Sequence, residues 1–238
     1  MPRRFNLVTG LFGLCLVASQ AWADAPAGAP APKNPPAAAP TPSTTATSEV
    51  DALVDSVQAF YDKAKTFKAH FKQRYSIAAY DKSKDSEGSV AFEKAGKMSW
   101  RYTSNQNRVV SDGKVLKIYE AENKQMYEQD VNKSQYPAAL SFLMGTGNLK
   151  TAFKFQKLAA ADFPGGHVLV GTPLEQTPAY QQMVLYVDAK TFQVRRVLLI
   201  DAQKNKNRFD FSQPTVNEKI PAAEFQFTPP PNTRVIRP

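Results

Sequence analysis

Apolar residues recur at helical spacing over Val50, Leu53, Val54, Val57 and Tyr61, and from Phe67 onward the period changes to two. The first pattern predicts an amphipathic helix of about four turns. Ser48 is placed to cap it, and Glu49 and Asp51 favour the positive end of its dipole. The second pattern predicts strands. Phe67, Ala69, Phe71, Gln73 and Tyr75 alternate with polar residues, and Val90 and Phe92, then Met98, Trp100 and Tyr102, do the same. Ser111-Asp112-Gly113-Lys114 separates Val109-Val110 from Leu116-Lys117-Ile118-Tyr119, a hairpin turning on Asp-Gly. Strands joined by tight turns imply an antiparallel sheet that curls continuously.

The alternation breaks between Pro137 and Leu149. There Ala138, Ala139, Leu140, Phe142, Leu143 and Met144 precede Gly145 and Gly147. Proline at the start and glycine at the end are helix punctuation, so a short and strongly apolar helix is expected. Strands resume over 152–158, 168–172, 182–187, 194–201 and 208–211, with a turn at Asp188-Ala189-Lys190. The chain closes on a turn at Ile220-Pro221 and a final short strand through Phe225 and Phe227, which Pro229 to Pro231 end.

Two segments ahead of this pattern change the picture. Arg3 and Arg4, the apolar stretch from Leu7 to Val17 and the small-residue site Ala21-Trp22-Ala23 form a secretory signal peptide over residues 1–23. Its apolar core is too short to span a bilayer, and nothing downstream offers a second candidate. Cys15 follows Leu14, where a lipoprotein signal wants a small residue, so lipid anchoring through Cys15 is disfavoured. Residues 24–48 are almost entirely Ala, Pro, Thr and Ser and cannot bury enough apolar surface to order, which predicts a mobile linker. Residues 49–238 are then one domain, within the size that a single core can organise. Its expected location is outside the cytoplasm.

Cleavage after Ala23 removes the single cysteine, and with it any thiol nucleophile or intramolecular disulfide. The chain carries a net charge of +9, part of which leaves with the leader. The remaining basic residues are scattered, and no cluster is dense enough to mark a nucleic-acid surface. His70 and His167 are the two histidines, neither within metal-ligand spacing of another ligand. His70 falls on a polar strand face and His167 reads as a loop residue. No nucleophile elbow, phosphate loop or dinucleotide fingerprint occurs, so neither a metal, a cofactor nor an enzyme is expected. Scattered acids such as Asp112 and Asp188 could still converge in space.

The informative feature is a set of apolar and aromatic residues on strands facing a short, greasy helix. Met98, Trp100 and Tyr102 share one strand face, as do Leu116 and Ile118 on the next. Periodicity admits two readings: an ordinary sheet-on-helix core, or a cavity between sheet and helices that receives an alkyl chain.

Phe67-Lys-Ala-His-Phe-Lys-Gln73 resembles the F-x-x-x-F-x-Q opening of the periplasmic outer-membrane lipoprotein carrier family, LolA. Met98-Ser-Trp100-Arg-Tyr102 and the run from Val109 to Tyr119 resemble that family's W-x-y strand and S-D-G hairpin. Pro137 to Met144 resembles its lid, and Phe225-Gln-Phe-Thr-Pro-Pro230 its terminal F-x-F-x-P-P. The matches run in the family's order over nearly all of residues 49–238.

The resemblance implies an α+β fold: an unclosed antiparallel β-barrel, or half-barrel, with a helical lid. It implies a periplasmic chaperone, not an enzyme and without a cofactor, that binds the acyl chains of lipoproteins in an apolar cavity. Such a carrier takes them from an inner-membrane release complex to an outer-membrane acceptor, and a monomer is expected. The cavity wall would be Phe92, Met98, Trp100, Tyr102, Leu116 and Ile118, and the lid Leu140, Phe142, Leu143 and Met144. A related half-barrel carrying or sensing another lipid is the alternative. One departure stands out: the family's Arg-Pro before the W-x-y strand is here Lys94-Ala95. Lysine keeps the charge but loses the planar fork of donors, so a weaker or different lid latch is expected. Lys117 replaces an aromatic often found at its position, which the sequence leaves without a role.

Overall fold

The computed structural model describes residues 44–131, 138–158 and 162–237. The expected signal peptide and nearly all of the expected linker therefore lie outside the described residues. So do Pro137 and the side chains of Ala138, Ala139 and Met144.

The first helix, α1, spans Thr44–Lys63, so it begins before Ser48. Ser48 is an interior residue and not the cap, and Glu49 and Asp51 sit beyond the first turn. Thr44 to Thr47 contain neither Pro nor Gly, so nothing after Pro42 stops the helix from running back through them. The apolar stripe falls as the spacing requires: Leu53, Val54, Val57 and Tyr61 are all buried.

The strands are β1 (Thr66–Ile77), β2 (Lys82–Glu93), β3 (Lys97–Tyr102), β4 (Arg108–Asp112), β5 (Val115–Glu120) and β6 (Gln125–Asp130). After the cover segment come β7 (Phe153–Lys157), β8 (Gly166–Pro173), β9 (Gln182–Asp188), β10 (Val194–Ile200), β11 (Lys206–Val216) and β12 (Arg234–Ile236). They form one sheet in the order β12-β6-β5-β4-β3-β2-β1-β11-β10-β9-β8-β7. Two meanders, β1 to β6 and β7 to β11, are thus joined by the antiparallel pairing of β1 with β11, Phe71 lying opposite Phe211. The sheet ends at β12 and β7, which do not pair with each other, so the barrel is unclosed. Every pairing is antiparallel except β12 on β6, which is parallel.

Local chemistry explains the hairpins. In the β4–β5 turn the Asp112 carboxylate accepts from the Lys114 and Val115 amides at 2.8 and 2.9 Å, while Gly113 takes φ +96°. Asp188 does the same for Lys190 and Thr191 between β9 and β10. These backbone donors hold both carboxyl groups below their usual range. The two acids stand in separate turns on opposite arms of the sheet and form no pair.

Two further expectations change, and one strand is new. The final strand is not at Phe225 to Thr228: Ala222–Phe225 is a 3₁₀ turn, and β12 forms only after the prolines. Pro229 to Pro231 lack the amides a ladder needs, and Phe225 is instead buried beside Ala91 and Ile220 on the outer face. β6 shows no apolar alternation: Gln-Met-Tyr-Glu-Gln-Asp buries only Met126 fully, the mark of a strand near a sheet edge. His167 lies within β8, opposite Val187, and not in a loop.

Candidate functional site

The inner face of the sheet is built from alternate residues of its central strands. Phe67 and Phe71 of β1, Phe92 of β2, Met98, Trp100 and Tyr102 of β3, Leu116 of β5 and Phe209 and Phe211 of β11 are all buried in one cluster. Strand alternation puts them there, and register brings them together: Trp100 lies between Val90 and Val109 across the ladder. Its ring meets Phe71 at 4.9 Å, Phe209 at 5.2 Å and Phe92 at 5.9 Å between centroids. Five of the six expected wall residues are buried in this cluster; Ile118 is partly buried against it. Phe67, Phe71, Phe209 and Phe211 belong to the same surface. The motif and the strand pattern already contained them; the β1–β2–β3 ladder brings Phe71 to Trp100, and only the β1–β11 pairing adds Phe209 and Phe211.

The cover is less helical than expected. Ala138–Met144 is a 3₁₀ segment, and a separate one-turn helix, α2 (Leu149–Ala152), follows it. Gly145 at φ +67° ends the first piece, and Asn148 starts the second by accepting from the Lys150 and Thr151 amides. Leu140, Phe142, Leu143 and Leu149 point into the cluster and are buried.

This segment is tied to α1 more than to the sheet. The Gln58 side chain accepts from the Leu149 amide at 2.8 Å and donates to the Gly147 carbonyl at 3.2 Å. Lys150 pairs with Asp55 at 2.6 Å, and the Phe142 ring meets Tyr61 edge-on at 5.2 Å. Helix and 3₁₀ segment form a single cover. Its polar ties to the sheet among the described residues include the Val194 amide, which donates to the buried Tyr61 hydroxyl at 3.1 Å, and Lys157, which pairs with Glu49 near the other end of α1. Burial pushes the Tyr61 phenol well above its usual range, so it stays neutral.

Lys94, the expected latch, donates to the Asp62 carbonyl at the C-terminal end of α1, not to the backbone of the cover segment. The site suits a cation, because the last carbonyls of a helix carry its negative end. The aliphatic stem still reaches the cover: a Cβ added to Gly145 would lie 3.2 Å from the Lys94 Cε. The neighbouring Ala95 takes φ +71°, a conformation closed to proline, so the turn itself differs from an Arg-Pro turn.

The outer face carries a different constellation. Residues 218–237 run across it, held where Lys117 donates to the Phe227 carbonyl at 3.1 Å and where Tyr119 packs on Phe227. Lys117 thereby gains a role that the sequence did not supply. Glu224 accepts from Ser99 at 2.6 Å and pairs with Arg101 at 3.2 Å and Arg108 at 3.8 Å. Burial, with Arg101 nearby, pulls the Arg108 guanidinium below its ordinary value against the pull of Glu224. A cleft of about 460 Å³ opens here, lined by Arg101, Gln106, Arg108, Gln226 and Phe227. Its charged lining is unsuited to acyl chains.

An unclosed sheet, antiparallel but for β12, with an aromatic inner face under a small apolar cover is a half-barrel. The family model described as outer membrane lipoprotein carrier protein LolA matches residues 62–228, and the chain belongs to that family. An outer-membrane lipoprotein carrier protein of Bordetella avium is 28% identical over 194 residues, covering 81% of this chain and 90% of that protein. One from Nitrosomonas europaea is 30% identical over 188 residues, covering 77% and 88%. Among solved structures, an uncharacterized conserved protein from Thermus thermophilus superposes with a TM-score of 0.51 at 12% identity, covering 79% of this chain and 98% of that one. At that identity the likeness concerns the fold.

Proposed function

We propose that this protein is a periplasmic carrier that shields the acyl chains of lipoproteins between sheet and cover. It would receive them at an inner-membrane release complex and yield them to an outer-membrane acceptor, acting as a monomer and without catalysis. The observation that carries this reading is the cover itself. α1 and the segment from Leu140 to Leu149 are bound to each other by Gln58, by the Lys150–Asp55 pair and by Tyr61 against Phe142, yet meet the aromatic face mainly through apolar contact. Such contacts are non-directional, so acyl chains can replace them as the cover shifts, at about 0.8 kcal/mol per buried methylene. Family membership and the carriers named among its relatives support the same reading.

In this mechanism the inner face is filled by its own side chains when empty, and loading exchanges protein–protein for protein–lipid contact. Lys94 biases that exchange by holding the end of α1 while its stem covers Gly145. Leu140, Phe142, Leu143 and Met144 would form the moving surface, and Phe92, Met98, Trp100, Tyr102, Leu116 and Ile118 the fixed one. Native mass spectrometry of the protein taken from its own periplasm, before any detergent is added, tests the proposal. Co-purified triacylated lipoprotein is the expected result. A free lipid would assign another cargo, and a protein with neither bound nor displaceable lipid would overturn the carrier reading.

A further inference from the structure

Two polar atoms in the aromatic cluster have no hydrogen-bond partner among the described residues: the Trp100 indole Nε1 and the Tyr102 hydroxyl. Both side chains are at most 2% exposed, both lie on the inner face of β3, and both rings contact Phe71. Buried donors are ordinarily paired, and one left unpaired bears the desolvation cost of its group without recompense. Tyr61, buried in the same cluster, does have its partner in the Val194 amide. Packing alone gives no reason for an indole N–H and a phenol here, since the neighbouring positions 71, 92, 209 and 211 are all Phe. The other described orphans, on Arg108 and Thr215, are not aromatic donors of this face.

We infer that Trp100 and Tyr102 are the polar end of the lipid site and donate to the carbonyl oxygens that join acyl chains to their head group. The cargo is then an acyl lipid with ester or amide carbonyls, and not an alkyl chain as such. This rests on the carrier reading and specifies its ligand. In the empty protein both donors are unmet; in the loaded protein both are met. The difference favours the loaded state for carbonyl-bearing lipid and withholds that advantage from plain hydrocarbon. Acyl chains alone would be held by area, with little chemical selectivity.

Competition binding on the delipidated mature protein, with a fluorescent fatty-acyl probe displaced by dipalmitoylglycerol or by its dialkyl-ether counterpart dihexadecylglycerol, tests this. The wild type is expected to prefer the ester by about tenfold or more, the size of a hydrogen bond won in a dry site. Tyr102→Phe, which removes only the oxygen, should lose much of that preference, read as the ratio of its ester affinity to its ether affinity. Trp100→Phe should do likewise once its ester affinity is divided by its ether affinity. Equal binding of ester and ether by the wild type, or full ester preference in Tyr102→Phe, would overturn the inference and leave the carrier reading standing. Failure of both lipids to displace the probe, or of the probe to bind, would sink the two together.

Discussion

Tyr61 and Tyr102 are both buried phenols in one cluster, yet the same substitution should act on them with opposite sign. The Tyr61 oxygen is the acceptor for the Val194 amide, so Tyr61→Phe strands a buried N–H. It should cost about 1–3 kcal/mol, seen as a lower urea midpoint at unchanged slope. The Tyr102 hydroxyl has no partner to strand among the described residues, and Tyr102→Phe should be neutral or stabilising in the lipid-free protein. A clear loss of stability in Tyr102→Phe would show that its hydroxyl is satisfied in solution. Both residues could be assigned to the apolar face from their spacing. Neither hydrogen-bonding state could, because each depends on what a distant strand brings opposite the oxygen.

At the level of elements, the turn between β2 and β3 is where this chain departs most from its family resemblance. Ala95 and Gly96 both take positive φ, +71° and +78°. For Ala95 that conformation costs roughly 1 kcal/mol over glycine. Ala95→Gly is therefore expected to raise the thermal midpoint, and Ala95→Pro, whose ring demands φ near −65°, to lower it well beyond the strain removed by glycine. Unchanged midpoints in both variants would mean that the turn relaxes freely. The β4–β5 hairpin was readable because Asp112-Gly113 states its own geometry: a carboxylate for two amides and a residue free to take positive φ. The apolar run of the cover predicts one short helix. Two glycines within three residues, Gly145 and Gly147, instead split it into a 3₁₀ segment and a single capped turn.

Across the whole molecule, α1 and the segment from Leu140 to Leu149 should respond as one body. Leu143 is 5% exposed, and Leu143→Glu would place an unpaired carboxylate against the aromatic face at a cost of several kcal/mol if it stayed closed. The expected outcome is a displaced cover. Hydrogen exchange should rise in α1 as well as around residue 143, while β1, β2 and β3 keep their protection. Lys94→Ala should give a weaker form of the same response, since an exposed contact at a helix end is worth about 1 kcal/mol or less. Exchange confined to residues 138–149 in both variants would argue against a joined cover, and no change at all in Lys94→Ala would remove its role as latch.

The sequence by itself determined the parts whose causes are local. The amphipathic stripe of α1, the alternation that puts Phe92, Met98, Trp100, Tyr102 and Leu116 on one face, the Asp112-Gly113 turn and the apolar run at Leu140 to Leu143 all follow from residues within a few positions of each other. The ordered motifs added the expectation of an unclosed half-barrel. Only the tertiary structure decided the rest. It set the β1–β11 pairing that joins the two meanders, the passage of residues 218–237 over the outer face under Lys117, the choice of the Asp62 carbonyl by Lys94, and the two donors on β3 left without partners among the described residues. Periodicity and turn chemistry act along the chain, whereas a partner across the fold depends on how far the sheet curls and which distant segment its curvature brings near.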